Sequence, residues 1–156
     1  MNSGIKIISA LLAVAFCSNS SASTIKEEVR EGVAQLASQM PMTVDEFTTV
    51  NTVLLVSDRD IVYRYAFDFD KSISMAARIK NITPAELTAL YVREFGDLNV
   101  FLKAWGDQYI YPPMRNSNCS NPRIIYFLDN GYRIIHEVSD MYGRFLYEAI
   151  ITKSER

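Results

Sequence analysis

In the segment Ile61–Phe69, every second residue from Tyr63 onwards is aromatic, and this regular alternation is the feature that most constrains the fold. Its aromatic positions Tyr63, Tyr65, Phe67 and Phe69 alternate with Val62, Arg64, Ala66 and Asp68. A period of two residues is typical of a β-strand with one buried face. The preceding segment, Thr43–Val56, is rich in Val, Thr and Phe, and Ser57–Asp60 between the two has the composition of a turn. The sequence therefore predicts an antiparallel hairpin here.

Helical patterns lie on both sides of this hairpin. Thr24–Met40 carries apolar residues three or four positions apart, and Pro41 should end that helix. The run Thr83–Glu86 has a capping threonine, a proline at the first helical position and a glutamate where a capping box needs it. The apolar pattern continues to about Trp105, and Gly96 is a position where the helix can bend or break.

The last third of the chain predicts a loop, a short helix and two more strands. Tyr111–Asn121 indicates an irregular loop that holds Cys119, and Pro122 can open a short helix that ends at Asn130-Gly131. The segments Tyr132–Ser139 and Arg144–Thr152, joined by a turn, predict a second hairpin.

The predicted fold class is α+β. We expect an antiparallel sheet of about four strands, in two hairpins, with the N-terminal helix and the helical middle segment packed on one face.

The N-terminus has the layout of a secretory signal peptide. A lysine precedes the short apolar run Ile7–Phe16, and Ser20 and Ala22 occupy the −3 and −1 positions of a cleavage site. The run has about ten residues, against the roughly 20 that span a bilayer. We therefore expect a signal peptide over residues 1–22 and a single periplasmic domain over residues 23–156. An uncleaved anchor is the alternative.

The chain has two cysteines, and they limit its covalent chemistry. Cys17 would leave with the signal peptide, and Phe16 before it disfavours lipoprotein processing, which needs a small side chain there. Cys119 then remains alone, so no internal disulfide is expected. In an oxidising compartment its thiol can be buried, can pair with another chain or can stay reactive.

Cys119 and His136 are the candidate functional side chains. His136 lies on the third predicted strand, in phase with Ile134 and Val138. It is interpreted either as a partly buried strand histidine with a hydrogen-bond partner or as a proton switch. A Cys119–His136 nucleophile pair is formally possible, but the sequence around the cysteine has no nucleophile signature. The sequence predicts no catalytic residue.

Composition and motifs argue against several classes of function. The 16 basic and 18 acidic residues give a net charge of −2 without a basic block, which disfavours nucleic-acid binding. Histidine and cysteine are too few for a zinc site, and no GxGxxG, P-loop or GxSxG motif occurs. We therefore expect no metal, no cofactor and no enzymatic activity.

Two stretches of the chain resemble a family of small periplasmic bacterial proteins. They are LASQMPMTVDEFTTVNTV, followed by IVYRYAF, and CSNPRIIYFLDNGYRIIHEVSDMYGRFLYEAII. The matching positions are Met40, Pro41, Val44, Asp45, Thr48, Tyr63, Tyr65, Cys119, Pro122, Gly131, Gly143 and Phe145. Family members often have a second cysteine near the C-terminus, whereas this sequence ends ITKSER. In size and layout the chain is similar to the accessory proteins of membrane-bound fimbrial gene activators, of the pH 6 antigen and Myf fimbria regulatory type.

The resemblance implies a non-catalytic function. Such a protein binds and stabilises the periplasmic domain of an inner-membrane transcription activator and so supports fimbrial and virulence gene expression. An alternative is a periplasmic inhibitor or immunity protein against a cell-wall hydrolase, in which Tyr109–Asn118 is interpreted either as the loop that plugs the active site or as a connector. A small enzyme is a third class. If the signal peptide is cleaved, we expect no stable membrane span.

Overall fold

The computed structural model describes residues 24–155. The predicted signal peptide and Cys17 lie outside the described residues.

In the described part of the chain, five strands form one sheet, in the order in which they follow along the sequence. They are β1 Met42–Thr43, β2 Thr48–Leu55, β3 Asp60–Phe67, β4 Arg133–Asp140 and β5 Phe145–Ile151. The two predicted hairpins are confirmed as the antiparallel pairs β2–β3 and β4–β5. The predicted antiparallel sheet of about four strands is compatible with this five-stranded, mostly antiparallel sheet, and two details differ from the prediction. A two-residue strand, β1, is added at one edge, and the central strands β3 and β4 pair in parallel.

The parallel pair follows from the path of the chain. The helical middle segment leaves the end of β3 and brings the chain back to the start of β4, so the two strands run in the same direction. Asp60 therefore lies opposite Arg133, and Phe67 lies opposite Asp140. The guanidinium of Arg133 donates two hydrogen bonds to the carboxylate of Asp60, at 2.7 and 2.8 Å, where the two strands begin.

Within residues 24–155 the structure has six α-helices. They are α1 Ile25–Ala37, α2 Phe69–Lys80, α3 Pro84–Phe95, α4 Leu98–Trp105, α5 Tyr111–Ser120 and α6 Pro122–Asp129. A short π-helical segment, Gly106–Ile110, joins α4 to α5, and a 3-10 turn, Lys153–Glu155, follows β5. None of these helices has the length and hydropathy that a membrane span requires.

The start of α3 is the predicted capping box. The backbone N–H of Glu86 donates to Oγ1 of Thr83 at 3.2 Å, and the N–H of Thr83 donates to Oε2 of Glu86 at 2.7 Å. These bonds satisfy two of the N–H groups that a helix start leaves without a partner. The helix ends at Phe95 because Gly96 adopts a left-handed conformation, with φ of 78°. The predicted single helix to Trp105 is therefore two helices, α3 and α4.

Two other segments differ from the expectation. Tyr111–Asn121 was expected to be a loop, but most of it is α5. Pro112 and Pro113 lie in the first turn of this helix, where a missing N–H costs nothing. Phe69 begins α2 instead of ending the strand, because the side chain of Asp68 accepts a hydrogen bond from the N–H of Lys71 at 2.9 Å and caps the helix.

The segment Tyr109–Asn118 is consequently not a projecting loop. It covers the end of the π-helical segment and most of α5, and Ile110, Met114 and Asn118 are buried. Of the two interpretations of this segment, the helical structure favours the connector over the plugging loop.

The core lies between one face of the sheet and the helices. A row of neighbouring residues on that face crosses four strands, from Val53 through Tyr63 and His136 to Ala149. All four are buried. The residue next to each of these along its strand points to the other face of the sheet. These neighbours form a second row, with Leu54, Val62, Ile135 and Ile150. The helix α1 packs on β2 through Val29, Val33 and Leu36, which belong to the same core cluster.

Candidate functional site

His136 lies in the middle of the core face, on a central strand. Only 4% of its surface is exposed. Its ring stacks on the ring of Tyr63, with the centroids 5.3 Å apart, and lies 5.7 Å from the ring of Tyr65. Tyr63 and Tyr65 are the alternating aromatic residues of β3, so the pattern that predicted the strand also builds the walls around the histidine.

Both ring nitrogens of His136 have protein partners. Nδ1 lies 2.9 Å from the hydroxyl of Tyr65, and Nε2 lies 2.8 Å from Nδ2 of Asn118. Nδ2 of Asn118 also donates to the carbonyl oxygen of Met114, one helical turn earlier, at 2.8 Å. This second bond fixes the orientation of the amide, so Nε2 of the histidine must accept. Nδ1 then carries the proton and donates to the oxygen of Tyr65.

His136, Tyr63, Tyr65 and Asn118 form a buried cluster, and burial sets the charge of its titratable side chains. It lowers the pKa of His136 to about 3, because the imidazolium would lose most of its hydration in the core. It also raises the pKa of Tyr63 and of Tyr65 well above the usual range. The three side chains are therefore neutral near pH 7. Because burial holds the pKa of the ring far below its usual range, a proton switch at His136 would require the core around it to open.

Cys119 follows Asn118 on α5 but makes different contacts. Its thiol is half-buried against the core and donates to the backbone carbonyl of Glu155 at 3.8 Å. The hydroxyl of Tyr111, at the start of the same helix, donates to the carboxylate of Glu155. The thiol thus belongs to the contact between α5 and the C-terminal turn. The structure joins His136 to Asn118, whereas the formal nucleophile pair would join it to Cys119.

Asn118 is the residue that sequence reasoning missed. Its segment, with Asn116, Ser117 and Ser120, has the composition of a loop. The signal that could have found it is the spacing of Met114 and Asn118, four residues apart, which places both on one face once the segment is a helix. Every buried side-chain nitrogen and oxygen in residues 24–155 has a hydrogen-bond partner, and this includes the polar atoms of the buried cluster.

The described residues offer no group of three or more histidine, cysteine or acidic side chains that could hold a metal ion.

A second feature is the outer edge of β5. This strand ends the sheet order, so its far side has no neighbouring strand among residues 24–155. A groove of about 280 Å³ runs between β5 and α4. It is lined by Asn99, Leu102, Lys103 and Asp107 on one side and by Phe145, Leu146, Tyr147 and Glu148 on the other. We refer to this groove, with the free side of β5, as the β5 edge.

One polar contact joins the π-helical segment that extends α4 to β5, and a second one, within the helical segment, engages the same carboxylate. The hydroxyl of Tyr147 donates to Oδ1 of Asp107 at 2.8 Å, and Nζ of Lys103 lies 2.5 Å from Oδ2 of the same carboxylate. Lys103 and Tyr147 lower the pKa of Asp107, so this carboxylate is ionised. The bond from Tyr147 thus links this wall of the groove to the strand.

The other edge of the sheet is less open. The strand β1 covers Thr49 and Val50 of β2. The pairing of β2 with β3 then shifts between Val50 and Thr52, which marks a β-bulge at Asn51. Bulges and short covering strands are common devices that prevent an edge from pairing with another chain.

Comparison with known proteins supports the fold and does not give a family. No protein-family model matches the chain, and no curated protein sequence matches it. A crystal structure of a candidate secreted protein from Pseudomonas aeruginosa is similar, with a TM-score of 0.52 and 8% identity over 85% of this chain and 97% of that chain. The domain thus belongs to a class of small α+β folds that this bacterial protein shares.

Two pilotins of type II secretion systems also align, each with a TM-score of 0.49. EpsS from Vibrio vulnificus has 11% identity over 84% of this chain and 90% of its own, and AspS from Vibrio cholerae has 13% identity over 85% and 92%. The family resemblance described above stays a prediction.

Proposed function

We propose that this protein is a non-catalytic periplasmic accessory protein. In this proposal it binds and stabilises the periplasmic domain of an inner-membrane transcription activator, and through it supports fimbrial gene expression. The observation that carries the binding function is the β5 edge, a strand of the sheet with one free side next to a groove. The resemblance at the sequence level supplies the kind of partner.

A free strand edge binds through its backbone. The unpaired N–H and C=O groups of an edge strand can form a ladder with an extended segment of a partner, and nearby pockets then select its side chains. If this protein binds only the folded form of its partner, it raises the partner's free energy of unfolding by RT ln(1 + [L]/Kd), where [L] is the concentration of this protein. The increase is about 2.7 kcal/mol when [L] is a hundred times Kd. That gain is sufficient to change the abundance of a marginally stable protein several-fold.

The buried cluster supports the non-catalytic part of the proposal. His136 is the chain's only histidine, and both of its ring nitrogens are occupied by Tyr65 and Asn118. A general base has to reach a substrate proton, whereas this ring is sealed in the core. The cluster acts as a structural link between the sheet and α5.

The compartment is part of the proposal and can be tested separately. Cleavage after Ala22 would release a chain that begins at Ser23 into the periplasm. N-terminal sequencing of the protein from the periplasmic fraction should return Ser23 as the first residue. Recovery only of full-length protein from membranes would show that the N-terminal segment is an anchor.

The function itself is tested in a strain that lacks this protein. We expect the activator to fall several-fold in abundance, fimbrial transcription to fall with it, and the two proteins to co-purify from the wild-type strain. Unchanged activator abundance, unchanged transcription and no co-purification would together contradict the proposal.

A further inference from the structure

We propose that the β5 edge selects an extended partner strand with two features, a basic side chain opposite Glu148 and an apolar side chain in the groove against α4. This inference rests on the proposed function and specifies the chemistry of the partner at that site.

The apolar part of the edge is created by a bulge. Val138 pairs with Tyr147 and Ser139 pairs with Phe145, so Leu146 is an extra residue on β5. The bulge turns Leu146 inward, to 3% exposure, towards the groove wall that contains Leu102, also 3% exposed. Phe145 stays 60% exposed at the same groove. An apolar side chain from an added strand would cover this exposed ring and the aliphatic floor beside it.

The charged part of the edge is Glu148. It is exposed, lines the groove, and lies opposite Glu137 on β4. Glu137 is already bound to Arg64 on β3, with Oε2 2.7 Å from Nε. Within residues 24–155 no ion pair reaches Glu148, so its carboxylate is available to a residue on its other side. Opposite charges directly across a strand pair are favourable, and like charges are unfavourable.

The same charge disfavours a second copy of this chain as the occupant. Two β5 strands that paired antiparallel around their middle residues would bring two Glu148 carboxylates together. A charged side chain on an edge strand is a known protection against such self-pairing. Glu148 therefore both excludes self-association and favours a partner strand with a lysine or an arginine.

The first experiment needs only this protein. Glu148→Val removes the charge and adds a strand-favouring side chain, so sedimentation equilibrium should show self-association at concentrations where the wild type is monomeric. Glu31→Val, which removes an exposed acidic residue on α1, is the matched control and should stay monomeric. A monomeric Glu148→Val would show that the β5 edge does not accept a strand, and would overturn the inference.

The second experiment measures capture of the activator's periplasmic domain by protein purified from the periplasm. We expect Glu148→Lys to weaken capture at least about fivefold, since attraction becomes repulsion, with a larger loss at low salt. Glu31→Lys should bind like the wild type. If the wild type captures the domain and Glu148→Lys captures it equally well, this inference is wrong and the proposed function stands. If the wild type captures nothing, both are wrong.

Discussion

The side-chain amide of Asn118, on α5, donates to Nε2 of His136, on β4, over 2.8 Å, and so links the helical layer to the centre of the sheet. Asn118→Ala leaves that ring nitrogen buried without a donor. We expect the free energy of unfolding to fall by about 1–3 kcal/mol. Urea unfolding followed by circular dichroism measures the change. Asn116→Ala, at an exposed position of the same helix, is the control and should change stability by less than about 0.5 kcal/mol. Equal losses in the two variants would contradict the structural role of the bond.

The burial of His136 makes the domain sensitive to acid. Its pKa is about 3 in the folded chain, against 6.5 for an exposed histidine. Between these values the unfolded chain binds a proton that the folded chain does not, so stability falls as the pH falls. Above about pH 6.5 the histidine does not reduce the free energy of unfolding. Between pH 6.5 and pH 3 the free energy of unfolding falls with the pH, by at most about 1.4 kcal/mol per pH unit.

His136→Gln isolates this slope. Glutamine keeps a donor and an acceptor but does not titrate, so the free energy of unfolding should depend less on pH between 5 and 6.5. The carboxyl pKa values of Asp60 and Asp107 are lowered by Arg133 and Lys103, so these two groups lose their contributions only at lower pH. The readout is the slope, which a lower absolute stability of the variant does not alter. Parallel pH profiles of variant and wild type would exclude the histidine as the cause.

Gly106 is required by a close approach between the π-helical segment and β5. A Cβ atom at this position would overlap the ring of Tyr147, which is held in place by its bond to Asp107. We expect Gly106→Ala to destabilise the domain by about 1–3 kcal/mol. The clash also predicts that Tyr147→Leu costs less in the Gly106→Ala background than in the wild type, as a double-mutant cycle can measure. Strict additivity would show that the ring moves aside freely.

Cys119→Ser should leave a folded and functional protein. The thiol is half-buried and its contact with the carbonyl of Glu155 is long, at 3.8 Å, so replacing it with the smaller serine hydroxyl should lower the free energy of unfolding by less than about 1.5 kcal/mol. Thermal melting and the level of the activator in the complemented strain are the measurements. A variant that melts normally but no longer protects its partner would assign a role in function to the thiol.

Local patterns predicted the parts of the fold that local patterns determine. The hairpins followed from the two-residue alternation around Tyr63 and Tyr65, and the start of α3 followed from Thr83 and Glu86, because the capping bonds join residues three positions apart. The helix α5 did not follow, since asparagine and serine disfavour helix interiors, whereas the burial of Met114 and Asn118 in the folded domain favours the helix.

The sequence predicted only part of the candidate site, for the same reason. The position of His136 on a strand, with its side chain in phase with the core, was evident from the alternation. Its partners come from β3 and α5, far away along the chain, and no local pattern specifies which residues a fold brings together. Leu146, which lines the groove beside β5, sits at a one-residue bulge that leaves no signature in the sequence around it.

The parallel pairing of β3 with β4 also governs how the chain reaches its native state. Asp60 and Arg133 are 73 positions apart, and the two central strands cannot meet until that long stretch has been closed into a loop. Each hairpin can form early and by itself, but neither has a complete sheet to pack against before this closure. The high contact order of the centre of the sheet therefore predicts slow, highly cooperative folding, and a chain that stops before β4 would retain only fragments of structure.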